Sequence, residues 1–153
     1  QNAKQPRLLL VEVCGRLARM IARDGEGASK LLEVRVEGAE SLEDARRAAR
    51  TIASSTLLKA AVHGNDPNWG RVVAALGRSG AAIAEERISV YINEICVMDG
   101  GKPVPFFREA AVATMSRPEV SILVRLNMGE AAATAWGCDL TEGYVRVNSA
   151  YST

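Results

Sequence analysis

Two hydrophobic periods alternate along this chain, and together they restrict it to a layered fold of helices and strands. From Leu8 to Ala22 apolar residues recur every three or four positions, the period of an amphipathic helix. Further on, Leu32, Val34 and Val36 alternate with charged residues, the period of a strand with one wet face. This interleaving predicts an α+β domain of layered helices and a mostly antiparallel sheet.

The same alternation continues to the end of the chain. The patterns predict a helix capped by Ser41 and running through Ile52, a hairpin of 88–92 with 95–98, a helix over 106–115, and a strand over 120–126. We expect this last strand to pair antiparallel with 131–138 across the Asn127-Met128-Gly129 turn. Thr141 is a candidate cap for a short final helix.

Size, charge and cysteine content narrow the class of protein. The 153 residues suit one domain, and Lys plus Arg (19) nearly balance Asp plus Glu (18), so no nucleic-acid partner is indicated. Charges interrupt every apolar run before the roughly 18 residues that a membrane span needs. The widely spaced Cys14, Cys96 and Cys138, with a single His, fit neither a disulfide framework nor a zinc site. We therefore expect no metal, no membrane and a reducing cytoplasm.

A carboxylate stands between two glycines where the first helix gives way to the first strand. In Asp24-Gly25-Glu26-Gly27-Ala28 the glycines permit backbone angles that other residues avoid, so Glu26 is able to project into a ligand site. Such a carboxylate suits an ammonium group. A plain turn with a solvated Glu26 explains the same residues, and spacing alone favours that simpler interpretation.

A second loop, 63–71, is dense in turn-forming residues and precedes a helix. Free amides at the helix N-terminus, together with Arg71, are able to receive an anion. The favoured alternative is scaffolding. Asp66 or Asn68 would cap the helix, Pro67 would fix the turn, and Trp69 would pack its ring against the sheet.

The residues alone supply no complete catalytic set. His63 is a candidate acid or base, but the sequence holds no Ser or Cys beside it, so a structural or exposed histidine is favoured. A cysteine nucleophile would need His63 as its base, and buried cysteine usually serves as a small hydrophobe. The glycine-rich segments lack the residue order of nucleotide-phosphate loops.

The order of several segments resembles the ornithine acetyltransferase family. These segments are Asp24-Gly25-Glu26-Gly27-Ala28-Ser29-Lys30, Leu57-Leu58-Lys59, Gly64 to Arg71 with its DPNWGR signature, Gly137-Cys138-Asp139-Leu140-Thr141, and Tyr144 to Thr153. Together they cover the chain from end to end, and the DGEGA and DPNWGR signatures in this order are highly specific. The resemblance implies a DmpA/ornithine-acetyltransferase-like fold.

The resemblance also implies an activity. A precursor of this family cuts itself before a threonine, and the new terminal Thr, with its own α-amine as base, takes the acetyl group of N-acetylornithine as an ester. Ornithine leaves, and glutamate then accepts the acetyl group in a ping-pong cycle that yields N-acetylglutamate. The α chain supplies an oxyanion hole. No cofactor is implied, and acetyl-CoA is a co-substrate in bifunctional members only.

The family's cleavage motif, with its Ala-Thr junction, is absent here. The nucleophile is therefore expected upstream of Gln1, and no catalytic residue is expected within this chain. We interpret 1–153 as a single domain, the C-terminal portion of the β chain of an α2β2 heterotetramer, which needs the α chain and the upstream β-chain segment. By residue matching, Glu26, Asn148 and Thr153 correspond to substrate-binding positions. Carboxylate, amide and hydroxyl groups at these positions suit the ammonium and carboxylate of an amino acid.

Two other readings remain open. A related N-terminal-nucleophile amidohydrolase or aminopeptidase would give the acyl group to water, and a noncatalytic structural subunit would explain the missing nucleophile. An encoding frame without an Ala-Thr junction upstream of Gln1 would favour the structural subunit. Ser29 and His63 depart from the residues common in the family, Thr and an aromatic, which leaves room for a paralogue with other acyl donors and acceptors.

Overall fold

The computed structural model describes residues 4–150, and these form helices on both faces of a single mixed sheet. The helices are α1 (Lys4–Arg23), α2 (Leu42–Ala53), α3 (Thr56–His63), α4 (Trp69–Gly77), α5 (Arg108–Met115) and α6 (Glu142–Ala150). The strands are β1 (Leu31–Ala39), β2 (Ser89–Ile92), β3 (Ile95–Asp99), β4 (Lys102–Pro103), β5 (Glu119–Arg125) and β6 (Ala131–Cys138). A short 3-10 turn, Glu85–Arg87, precedes β2.

The six strands lie in the order β4-β3-β2-β5-β1-β6. Only β1 and β5 run parallel within this sheet, and the other neighbouring pairs are antiparallel. The predicted hairpin is β2-β3, whose turn residues Asn93 and Glu94 have φ of 44° and 71°. The predicted α+β class with a mostly antiparallel sheet is therefore confirmed.

The prediction that β6 pairs with β5 across the 127–129 turn is wrong. β1 lies between them, parallel to β5 and antiparallel to β6. The turn instead crosses the end of β1, where the amides of Met128 and Gly129 donate to the Gly38 carbonyl at 2.8 and 2.9 Å. Alternation locates a strand but says nothing about its neighbour, and sequential strands pair only in about two-thirds of cases.

The core lies between one face of the sheet and helices α2, α3 and α4. Leu32, Val34 and Val36 of β1 are fully buried there, together with Ile52 of α2. The predicted start of α2 is confirmed, since the Asp44 amide donates to the Ser41 hydroxyl at 3.1 Å and satisfies an amide that the helix leaves free. Residues 57–62, a short apolar stretch, belong to α3.

Helix α1 has the predicted period, but its apolar side chains are not covered by the described part of this chain. It lies over the opposite face of the sheet, where Arg19 and Arg23 bind Glu119 of β5 at 2.5 and 2.9 Å. Its large apolar side chains, from Leu8 to Ile21, are each 51–74% exposed. None of the helices in residues 4–150 is long and apolar enough to span a bilayer.

Candidate functional site

The acidic loop, residues 24–28, joins α1 to β1 through a tight turn. The Ala28 amide donates to the Gly25 carbonyl at 2.9 Å, which closes the turn and leaves Glu26 exposed at its tip. Gly27 has φ of 68°, and a Cβ there would lie 2.7 Å from the Tyr144 amide nitrogen of α6. Only glycine therefore fits between the loop and α6.

The structure brings together Glu26 and Asn148, two of the positions that the resemblance assigns to substrate binding. Asn148 Nδ2 donates to Glu26 Oε2 at 2.7 Å and to the Tyr144 carbonyl at 2.9 Å. Both side chains are exposed, and they are 122 residues apart in sequence. The third predicted position, Thr153, lies outside the described residues.

A buried carboxylate, that of Asp139, holds the two residues that follow the acidic loop. Asp139 is 3% exposed, and its Oδ1 accepts from the amides of Ser29 and Lys30 at 2.8 and 2.9 Å. Its Oδ2 accepts from the Ser29 hydroxyl at 2.5 Å and lies 2.9 Å from His63 Nδ1. The segment after β6 thereby holds the segment before β1, so the loop has a defined position beside α6.

Two ionisable groups in this cluster are perturbed. Burial alone would raise the pKa of Asp139, but the hydrogen bonds from Ser29, Lys30 and His63 outweigh it and hold the pKa below its usual value. Burial lowers the pKa of Lys30, and the charge of Asp139 opposes that shift. Lys30 Nζ donates to the Val62 carbonyl at 2.8 Å and to Asn65 Oδ1, which ties the loop to the end of α3.

The second loop makes the contacts that the favoured scaffolding interpretation requires. Asn68 caps α4, accepting from the Arg71 amide at 3.2 Å, and Pro67 is buried. Arg71 donates to the Leu57 carbonyl at 2.7 Å, so its charge is engaged in a structural contact. His63 is partly exposed and contacts Asp139, which agrees with the structural role favoured for it.

Sequence reasoning identified Glu26 and Asn148 but missed the residues that hold them. The sequence indicates Thr141 only as a helix cap, whereas the Thr141 hydroxyl also binds the acidic loop. The sequence signal for these residues is a carboxylate, Asp139, followed two positions later by a helix cap, Thr141. Within residues 4–150 no three His, Cys, Asp or Glu side chains cluster as a metal site would require.

The geometry suits recognition of a small cation. An ionised carboxylate has about four acceptor positions, so Glu26 is able to accept from Asn148 and from an ammonium group at once. The two Asn148 amide hydrogens are used by Glu26 and Tyr144, which leaves its carbonyl oxygen as a second acceptor.

Comparisons with known proteins identify the family of the chain. The ArgJ family model matches residues 1–153. The arginine biosynthesis bifunctional proteins ArgJ of Symbiobacterium thermophilum and Thermus thermophilus are 51% and 55% identical over 94% and 92% of this chain. The chain spans 36% and 37% of their lengths, about a third.

A solved structure extends the similarity to the fold. The arginine biosynthesis bifunctional protein ArgJ of Bacillus halodurans superposes with a TM-score of 0.91 at 43% identity, covering 94% of this chain and 68% of that one. The DmpA/ornithine-acetyltransferase-like fold implied by the sequence segments is thus confirmed by an ArgJ structure. On the full-length family match and these relatives, the chain belongs to the ArgJ family.

Proposed function

We propose that this chain is the C-terminal portion of the β chain of an acetyltransferase in arginine biosynthesis. The complete enzyme transfers acetyl from N-acetylornithine to glutamate and yields ornithine and N-acetylglutamate. Relatives about half identical to the chain are named arginine biosynthesis bifunctional proteins, which supports this pathway. In this proposal the chain supplies substrate-binding groups and the rest of the precursor supplies the reacting ones.

The contact between Glu26 and Asn148 carries the proposal. It joins the loop before β1 to the last described helix and creates a carboxylate-amide pair at one point of the surface. N-acetylornithine keeps one free ammonium group, and Glu26 provides the matching negative charge. The ion pair between this ammonium group and Glu26 contributes about 1 kcal/mol or less when it is exposed to water. It becomes stronger once the remaining chain excludes solvent. In this proposal the hydroxyl of Thr153 binds the same substrate.

The chemical steps belong to the upstream segment in this proposal. The hydroxyl of an N-terminal threonine attacks the acetyl carbonyl, its α-amine takes the proton, and that proton leaves with the amine of ornithine. The amine of glutamate then attacks the acetyl-threonine ester, and the hydroxyl is restored. An oxyanion hole of the α chain stabilises both tetrahedral intermediates. The cycle uses no metal or organic cofactor, and acetyl-CoA is an additional donor in bifunctional members.

The uncovered apolar residues of α1 support a partner from the same precursor. Its large apolar side chains, from Leu8 to Ile21, are all more than half exposed, and so many exposed apolar side chains on one helix are typical of a protein interface. Because the matched relatives are nearly three times as long as this chain, we assign this surface to the upstream β-chain segment and the α chain. The assembly we propose is a cytoplasmic α2β2 heterotetramer.

Acetyl transfer is tested with the complete enzyme and N-acetylornithine carrying a labelled acetyl group. We expect label in N-acetylglutamate when glutamate is present and little free acetate when it is absent, because the ester waits for an amine. Chromatography of the labelled products gives the measurement. Rapid release of labelled acetate regardless of glutamate would assign the protein to the hydrolases and overturn the transferase proposal.

A further inference from the structure

We propose that Thr141 is a positioning residue of the substrate site, because its hydroxyl sets the spacing between the acidic loop and α6 at which Glu26 and Asn148 act together. The inference rests on the proposed function of those two residues. Thr141 itself lies just before α6 and is 8% exposed. It therefore acts through its bonds to the backbone of the acidic loop and of α6.

A single oxygen atom bridges the two elements. Thr141 Oγ1 donates to the Gly27 carbonyl at 2.6 Å and accepts from the Tyr144 amide at 3.2 Å. A hydroxyl has one hydrogen to donate and lone pairs to accept, so one threonine is able to make both bonds. One bond holds the residue after Glu26. The other begins the helical turn whose carbonyl, that of Tyr144, binds Asn148.

Helix α6 depends on this bridge because it has little else to hold it within the described chain. None of its residues is buried, and Tyr144, Val145 and Val147 are 43%, 57% and 36% exposed. Burial of apolar area normally fixes a helix in place, and here that contribution is small. The position of Asn148 therefore follows from contacts at the start of α6, where Gly27 and Gly143 lie side by side.

Asp139 makes the role of Thr141 separable from folding. The Asp139 carboxylate holds the amides of Ser29 and Lys30, so the segment between the acidic loop and β1 stays anchored when the Thr141 hydroxyl is removed. Loss of that hydroxyl then releases Gly27 and the first turn of α6 while the sheet remains intact. We expect a change in substrate affinity that exceeds the change in stability.

The test compares Thr141→Val with Thr141→Ser in the complete enzyme. Valine keeps the shape and removes both hydrogen bonds, and we expect KM for N-acetylornithine to rise roughly tenfold, with a smaller change in kcat. Serine keeps the hydroxyl and restores KM to within about threefold of wild type. Should the valine variant fail to fold, Thr141→Asp replaces it. Aspartate is able to cap α6 but has no hydrogen to donate to the Gly27 carbonyl, so we expect the same rise in KM.

The same substitution in an Asn148→Ala background shows whether Thr141 acts through Asn148. We expect the roughly tenfold effect to shrink to about twofold or less, because coupled residues are not additive. A full effect in that background, or a valine variant with wild-type KM, would overturn the inference. If Glu26→Gln and Asn148→Ala themselves leave KM unchanged, the proposed function fails; if they raise it and Thr141→Val does not, only the role of Thr141 fails.

Discussion

Gly27→Ala is expected to destabilise the complete enzyme by about 2–4 kcal/mol and to raise KM for N-acetylornithine. The residue has φ of 68°, a left-handed conformation that costs a non-glycine residue about 1–2 kcal/mol. An added Cβ would also lie 2.7 Å from the Tyr144 nitrogen and 3.1 Å from the Gly143 carbonyl carbon. Both are backbone atoms, so α6 has to move and take Asn148 away from Glu26.

Thermal unfolding and steady-state kinetics of the variant measure these two effects. Gly77→Ala is the matched control, since a Cβ there has no atom within 4 Å and Gly77 ends α4. Alanine in a helix is preferred to glycine by up to about 1 kcal/mol, so the control is expected to be neutral or stabilising. A Gly27→Ala enzyme as stable and as active as the control would show that the loop and α6 do not need their close contact.

Asp139→Ala is expected to cost about 3–5 kcal/mol, the range for removing one partner of a buried charged cluster. The substitution leaves the amides of Ser29 and Lys30 without their acceptor and removes the negative charge near the buried Lys30. Thermal unfolding gives the measurement. Exposed Glu130→Ala is the control, with an expected change within about 0.5 kcal/mol. Equal midpoints for the two variants would contradict the anchoring role.

The effect of Asp139 also has a predicted pH dependence. Because its pKa is lower in the folded state than in the unfolded chain, its stabilising contribution is complete above the unfolded value of about 3.9. The contribution is lost as pH falls through the lower, folded value. We therefore expect the stability difference between wild type and Asp139→Ala to be constant from about pH 7 to 5 and to shrink below about pH 4. A stability difference that grows on acidification would contradict a lowered pKa of Asp139 in the folded state.

Local periodicity predicted the elements well because each period reports which side of an element is covered. The alternation of Leu32, Val34 and Val36 follows from one face of β1 packing on α2. Strand order was not accessible in this way, since β1 lies between β5 and β6, strands that begin 88 and 100 residues after it does. The sequence also did not indicate that the apolar residues of α1 lie uncovered. A periodic pattern does not say which partner covers an apolar face.

The site was predictable only as far as its motifs extended. DGEGA singled out Glu26, and matching to the family singled out Asn148, but neither pattern indicated that they touch. Asp139 and Thr141 bind residues far from them in sequence. Ser29 lies 110 positions before Asp139, and Gly27 lies 114 positions before Thr141. Contacts at that separation leave no local periodic signal, whereas the capping role of Thr141 did leave one and is confirmed.

The most direct measurement of the central claim is the KM for N-acetylornithine of the complete enzyme with Glu26→Gln. Glutamine keeps the size and removes the charge, so we expect KM to rise about 10- to 100-fold, with self-cleavage intact; deletion of Thr153 is expected to weaken turnover in parallel. Exposed Glu86→Gln, the same change outside the site, is the control and should leave KM unchanged. Wild-type KM in the Glu26→Gln enzyme would show that Glu26 is only a turn residue and would contradict the account.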